Sequence, residues 1–261
     1  MAFNTEEIST QLMFSTIQII IQTKDGIKSG TGHIYIKRTG KGEVPMVITN
    51  YHVVEGCVAG EMHFTESKDG KPIVGSRLVV KFDANYILQH YSQEYDIAII
   101  PFGPILNNFQ NQGKSIFFRS ISDDIFINED SCQELSAIEE ITFIGYPRGL
   151  SDQKNNLPII RRGITSTPIW NHFNGKNIFL IDASSFPGSS GSPVFIFNQG
   201  MYAKGTSLIA GMRILYCGIL TETIKHKSQD GDEYLNLGAV VNAMQVTITI
   251  NDFMRKIENL A

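Results

Sequence analysis

The chain is poor in the features that mark several broad classes of protein. Its 261 residues hold three cysteines, Cys57, Cys132 and Cys217, an odd number with no Cys-x-x-Cys pair. A disulfide framework is therefore not expected, and the thiols read as free in a reducing compartment. No apolar run approaches the roughly 20 residues of a membrane helix; Ile17 to Ile21 is already broken by Gln18. The polar, acidic N-terminus lacks the basic-then-apolar pattern of a signal peptide, so a cytoplasmic protein without a membrane partner is expected. Excess positive charge is missing too: 22 Lys and Arg stand against 26 Asp and Glu, which argues against nucleic acid as a partner. The histidines show no His-Glu-x-x-His or Cys/His zinc spacing, and no Gly-rich phosphate loop is present, so neither a metal nor a cofactor is expected. Asp230-Gly231 in the acidic stretch Gln229 to Glu233 reads as a hairpin turn rather than a calcium loop.

What the chain does have is many short β-branched and aromatic runs punctuated by Gly, Asn, Asp and Pro. The expected strands are 16–22, 32–37, 46–50, 78–82, 97–102, 141–146, 159–165, 178–182, 193–197, 214–221 and 235–241. Such a pattern predicts an all-β sandwich or barrel. Helical signal is confined to one turn at 53–56 and a terminal helix at 251–259, capped by Asn251 or Asp252. The polar stretches 106–114 and 120–134 place a linker between two halves within 106–134.

Three local contexts carry chemistry. Val47 to Val54 is an apolar strand ending in Thr49-Asn50-Tyr51-His52. Asp96 opens the apolar strand Ile97 to Ile100. Phe186 to Val194 is a loop of small residues, Pro-Gly-Ser-Ser-Gly-Ser-Pro. Each alone is a strand cap or a turn. Jointly they answer a chemical need. A serine hydroxyl is a weak nucleophile at neutral pH and requires an adjacent base. An imidazole can be that base, provided a carboxylate fixes its tautomer and stabilises the imidazolium formed in the reaction. A glycine beside the nucleophile lets backbone N–H groups turn toward a developing oxyanion. His52, Asp96 and Ser190 fit the three roles, with Gly188, Ser189 and Ser190 as the candidate oxyanion loop.

These motifs resemble those of trypsin/chymotrypsin-fold serine peptidases, especially the bacterial HtrA-like branch. Thr49 to Val54 is similar to that branch's Thr-Asn-x-His-Val-Val. Asp96 to Ile99 matches its Asp-Leu/Ile-Ala-Leu/Ile strand, and Gly188 to Pro193 its Gly-Asn/Asp-Ser-Gly-Gly-Pro loop. Ser29 to Gly32, Ile144 to Gly149, Gly163 to Ser166 and Ile181 to Ala183 are smaller matches, so the resemblance spans about Thr16 to Ala243. It implies two six-stranded antiparallel β-barrels, at 12–115 and 130–250, with a short terminal helix at 251–261. That branch usually carries a PDZ domain beyond the peptidase; with room here only for the terminal helix, a single peptidase unit without one is expected. The implied activity is hydrolysis of a protein or peptide substrate through an acyl-enzyme on Ser190, under a regulatory partner or effector or a narrow specificity.

Two positions depart from the family pattern. Ser189 replaces Asp or Asn, which removes the ion pair used when peptidases are activated by N-terminal clipping. Ser192 replaces a glycine, tolerable only where φ is negative. By the same resemblance, Ser184 lies at the base of the primary pocket, the strand around Gly238 forms a wall, and Thr221, Glu222 and Thr223 hydrogen-bond the substrate backbone. Ser184 brings no charge, which favours an uncharged side chain there, while Glu222 and the acidic stretch Gln229 to Glu233 leave a basic one open. The competing reading is a protease-fold module, silent or latent, that binds peptides or a partner without turnover.

Overall fold

A computed structural model describes residues 4–205, 207–228 and 231–259. Its first part runs α1 (Ile8–Phe14), β1 (Thr16–Thr23), β2 (Gly26–Thr39), β3 (Gly42–Thr49), α2 (Tyr51–Val54), β4 (Ala59–Lys68) and β5 (Lys71–Pro72). There follow β6 (Leu78–Asp83), α3 (Ala84–Ile87), β7 (His90–Ser92), β8 (Ile97–Pro101), α4 (Gly103–Asn111), β9 (Ser115–Phe117) and α5 (Glu129–Gln133). The second part is β10 (Glu140–Gly145), β11 (Ile159–Thr165), β12 (Ile178–Asp182), β13 (Pro193–Lys204), β14 (Ser207–Ser228), β15 (Gly231–Asn242) and α6 (Ala243–Glu258).

All strand pairs in both sheets are antiparallel, and the all-β expectation with a C-terminal helix holds. The second sheet is a closed six-stranded barrel in the order β10-β11-β12-β15-β14-β13. The first is richer than expected, with nine strands: its path is β5-β4-β1-β2-β3-β8-β7, and β6 and β9 also pair with β4. Between β6 and β7 the path has no ladder; α3 joins them.

The unbroken apolar runs of the sequence have a specific cause. Successive residues of a strand point to opposite faces, and several strands are buried on both. Val47, Ala98 and Ile100 enter the core of the first half. Their neighbours Met46, Ile48, Ile97 and Ile99 enter a second cluster, which includes Phe143, Phe195 and Tyr216 of the other half. The two halves thus share one apolar seam. The connecting segment lies along it: Ile121 exchanges backbone bonds with Ile34 and Ile36, and the Ile127 N–H donates to the Tyr216 carbonyl at 3.0 Å.

Some elements differ from the sequence reading. The strand β4 was not expected, because buried His63 and Thr65 interrupt the apolar pattern set by Met62 and Phe64. The stretch read as the start of a linker holds α4, with Pro104 in its first turn and Ile105 and Phe109 buried on one face. The expected turn at 53–56 is α2, two residues earlier. The terminal helix begins at Ala243 rather than 251, and its cap is Asn242, whose side chain accepts from the Met244 N–H. Its β-branched start, Val246 to Ile250, has low helix propensity, but Val246, Ile250, Phe253 and Met254 form one buried face, and packing prevails. Strand β14 runs 22 residues, against the eight expected, and pairs with β13 as a hairpin beyond the barrel that exposes Met201 and Leu208. The Asp230-Gly231 turn falls partly outside the described residues; the flanking Ser228 and Gly231 are paired.

Candidate active site

The strand β3 leads into Asn50, fully buried, which stands at the start of α2 without a side-chain bond to it; the helix's single turn presents His52. The Asn50 side-chain amide donates to the Asp96 carbonyl at 2.9 Å. Asp96 has φ of +53°, a left-handed conformation that costs a non-glycine residue about 1 kcal/mol. The surrounding bonds hold it there. Asp96 Oδ1 accepts the His52 backbone N–H at 2.9 Å, and Oδ2 lies 2.8 Å from His52 Nδ1. The Thr221 hydroxyl also donates to Oδ2. With Nδ1–H committed to the carboxylate, the lone pair of the imidazole sits on Nε2.

Ser190 shares a cleft of about 620 Å³ with His52 and Gly188. Its hydroxyl donates to the Thr221 carbonyl at 2.7 Å, and among the described residues it makes no bond to His52. Of the three expected residues, His52 and Ser190 line this cleft and Asp96 is joined to it through its bond to His52; the Ser–His bond is not made.

The candidate oxyanion loop is a Pro-Gly turn. The Ser189 N–H donates to the Phe186 carbonyl at 2.9 Å, with Pro187 and Gly188 between them and Gly188 at φ of +91°, as a type II turn demands. This corrects one expectation: the Ser189 N–H closes the turn and is not available to an oxyanion. Arg148, itself at φ of +52°, donates its N–H to the Pro187 carbonyl at 2.6 Å. Because C=O and N–H are trans across one planar peptide, that bond aims the Gly188 N–H the other way. Among the described residues neither the Gly188 nor the Ser190 N–H has an acceptor.

The loop is held from behind by β2. The Thr31 N–H donates to the Ser190 carbonyl at 2.9 Å, and the Thr31 hydroxyl donates to the Gly188 carbonyl at 2.9 Å. His33, two residues on and on the same strand face, lies 3.2 Å from the Gly191 carbonyl through Nδ1 and 3.0 Å from the Tyr216 hydroxyl through Nε2. Sequence reasoning held Thr31 and Asn50 only as members of matching runs and gave no role to His33 or Tyr216; the Thr31-x-His33 spacing, which puts both on one face of a strand, was the available signal. Ser192 is fully buried and has no positive φ; its hydroxyl occupies space left by the missing side chain of Gly145. A glycine is not required there.

Of the expected pocket residues, Ser184 is half-buried between β12 and β13, and Gly238 on β15 pairs with both Ile181 and Thr223. Ser185, overlooked in the sequence, is the buried one, and its hydroxyl meets Thr223 Oγ1 at 2.8 Å. Thr221 to Thr223 lie where β14 has left β13 and pairs only with β15, so one edge of this segment has no strand partner. Glu222 is exposed beside it.

Burial pushes the His33 imidazole from 6.5 down to about 4. A proton there would put a second donor against the Tyr216 hydroxyl and an uncompensated charge in the core. The unfolded chain therefore binds this proton first, and its contribution to stability, complete above pH 6.5, is lost as the pH falls toward 4. Denaturant titrations should lose about 2–3 kcal/mol from this group between pH 7 and 4.5. His33→Gln should show a shallower slope over that window; an unchanged slope would exclude the assignment.

A family model described as a trypsin-like peptidase domain matches residues 30–201. A search of curated proteins finds no match. Among solved structures, the chain resembles a serine endoprotease from Yersinia pestis at 14% identity and TM-score 0.55, covering 98% of this chain and 68% of that one. It resembles the active form of the Rv3671c protease from M. tuberculosis at 16% identity and TM-score 0.50, covering 96% and 86%. The HtrA-type protease AlgW, solved with a tripeptide, matches at 14% identity and TM-score 0.51, covering 96% and 62%. At such identities the structural likeness concerns the fold. The family model rests on the sequence itself, and by it the chain belongs to the trypsin-like peptidase domain family.

Proposed function

We propose that this protein is a serine endopeptidase that acts through an acyl-enzyme on Ser190, with His52 as general base and Asp96 as its orienting carboxylate. The observation that carries the reading is the Asp96–His52 bond, which leaves Nε2 free in the cleft that also holds Ser190 and Gly188. The hydroxyl of Ser190 turns from the Thr221 carbonyl to Nε2, giving up a hydrogen bond worth about 1 kcal/mol. His52 takes its proton as Oγ attacks the scissile carbonyl. The Gly188 and Ser190 N–H groups receive the oxyanion. The tetrahedral adduct collapses, His52 protonates the departing amine, and water then repeats the sequence on the ester. Extended substrate adds to the free edge of β14 at Thr221 to Thr223, its acyl half antiparallel to the strand. Ser184, Ser185, Thr223 and Gly238 present hydroxyls and backbone but no charge, which suits an uncharged side chain next to the scissile bond. The three free thiols support a reducing, cytoplasmic setting.

The test is labelling by a fluorophosphonate probe, with Ser190→Ala as the control. Stoichiometric labelling of the wild-type protein alone is expected. The resting bond from Ser190 to Thr221 gives one alternative some footing: an enzyme latent until a peptide or regulatory partner frees the hydroxyl. Labelling that requires an added peptide would favour latency. No labelling of folded protein under any condition would leave only the silent binding module.

A further inference from the structure

One flank of the cleft carries positive charge against the grain of a chain whose formal net charge is −4. The cavity holding His52, Gly188 and Ser190 is also lined by Lys28, Ser29 and Arg148. Arg148 sits directly behind the oxyanion turn, its backbone bonded to Pro187 and its guanidinium 5.3 Å from the Phe186 ring centroid. Arg161 reaches the same ring at the same distance. Both guanidiniums are thereby held next to the turn by stacking on one aromatic side chain. Among the described residues none of Lys28, Arg148 and Arg161 is within ion-pair distance of a carboxylate, whereas Arg162, one residue from Arg161, is paired with Glu140. The Ser29 hydroxyl, on the wall of this cavity, is buried without a hydrogen-bond partner. Ile27, beside Lys28, is 79% exposed and offers apolar contact at the rim. A second cavity, along Thr221 and Glu222, is lined instead by the carboxylates Glu94, Asp96 and Glu222 with one cation, Lys176.

We infer that the Lys28–Arg148–Arg161 flank is a subsite for a carboxylate on the departing, C-terminal half of the substrate. The inference rests on the peptidase reading, which assigns the acyl half to the β14 edge and leaves the other half to cross this cavity. The ligand chemistry is a single carboxylate, from an Asp or Glu side chain or from the free C-terminus of the peptide. Planar guanidiniums suit such a group, and the ring beneath them fixes their positions in advance of binding. A carboxylate bound there would sit beside the peptide that bears the Gly188 N–H, so its effect should reach turnover as well as affinity.

Internally quenched peptides test this. Each carries Glu, Gln or Lys at one of the three positions after the scissile bond or, as a reference, at one of the three before it; a further pair ends in a free acid or an amide. Glu over Gln after the bond should raise kcat/KM about fivefold. The ratio should fall toward one in 0.5 M salt and in Arg148→Met, and Arg148→Glu should instead favour Lys. Arg161→Met and Lys28→Met provide the same readout if the Arg148 variants do not fold. An effect confined to the acid and amide pair assigns the site to a chain terminus, and an effect of internal Glu assigns it to side chains. Equal rates for Glu and Gln, a preference only before the bond, or a preference unchanged in all three Met variants would overturn the inference. Ser190→Ala protein separates the two claims: fluorescence anisotropy on it reads Glu against Gln binding whether or not any peptide is cleaved. Tighter Glu binding without cleavage would retain the subsite and remove the peptidase reading.

Discussion

Ser190→Ala is expected to lower kcat on any peptide substrate by about 10⁴-fold or more, and His52→Ala by a similar factor. The double variant should be little worse than either single one. The reason is structural. In the proposed mechanism the hydroxyl and Nε2 act in one proton transfer, so removing either removes the whole step, and what persists is the catalysis due to the Gly188 and Ser190 N–H groups and to binding. Asp96→Asn should cost about 10⁴-fold for a different reason. Asp96 accepts from the His52 backbone, from His52 Nδ1 and from Thr221. An amide nitrogen placed opposite Nδ1 would favour the tautomer with its proton on Nε2, where it cannot accept from Ser190. Thr221→Val removes only one of the three donors and should cost about tenfold. Progress curves with active-site titration check these values, with circular dichroism to confirm folding. Additive losses in the Ser190 and His52 variants would mean that the two do not act as a unit.

Gly191→Ala should be the most damaging single-methyl addition. Gly191 has φ of +90°, and a Cβ there would collide with the Thr31 carbonyl oxygen and lie 2.6 Å from Thr49 Oγ1. Both neighbours are fixed, since Thr49 Oγ1 already donates to that carbonyl at 2.6 Å. The methyl can be accommodated only by parting β2 from the nucleophile loop, which breaks the Thr31–Ser190 and His33–Gly191 contacts together. The expected cost is about 3 kcal/mol or more, with activity lost even in molecules that remain folded. Gly200→Ala is the matched control. Its φ of +96° is nearly the same, but nothing lies within 4 Å of the added carbon. It should cost about 1 kcal/mol, the conformational penalty alone, and leave activity unchanged. Thermal unfolding of both variants measures the difference, and equal midpoints would show that the loop yields without strain.

The candidate catalytic residues were legible in the sequence because each sits in a short, chemically distinctive run: Thr49 to Val54, Asp96 to Ile100, and Phe186 to Val194. The second barrel was legible because its strands are bounded by Gly, Pro and Asn. The supports were not, because they act across long separations. Thr31 and His33 reach a loop more than 150 residues away, and nothing local to β2 announces it. Ser189 looked like a donor because it stands between Gly188 and Ser190; only the turn reveals that its N–H is occupied. The onset of α6 was hidden by β-branched residues whose burial, not their propensity, decides the helix. The nine-stranded first sheet exceeded expectation because β5, β7 and β9 are only two or three residues long, below what periodicity can register.

The hold of β2 on the nucleophile loop bears on how this protein can be divided. Two sheets joined by a connecting segment suggest modules that could be separated, exchanged or expressed alone. Here the carbonyls of Gly188, Ser190 and Gly191, all in the second half, take their hydrogen bonds from Thr31 and His33 of the first. The geometry of the Ser190 loop is therefore a property of the docked pair. His52 and Asp96 stay together in the first half, but the loop of Ser190 is held by both halves, so under the proposed function reactivity at Ser190 doubles as a gauge of whether the two halves are in register.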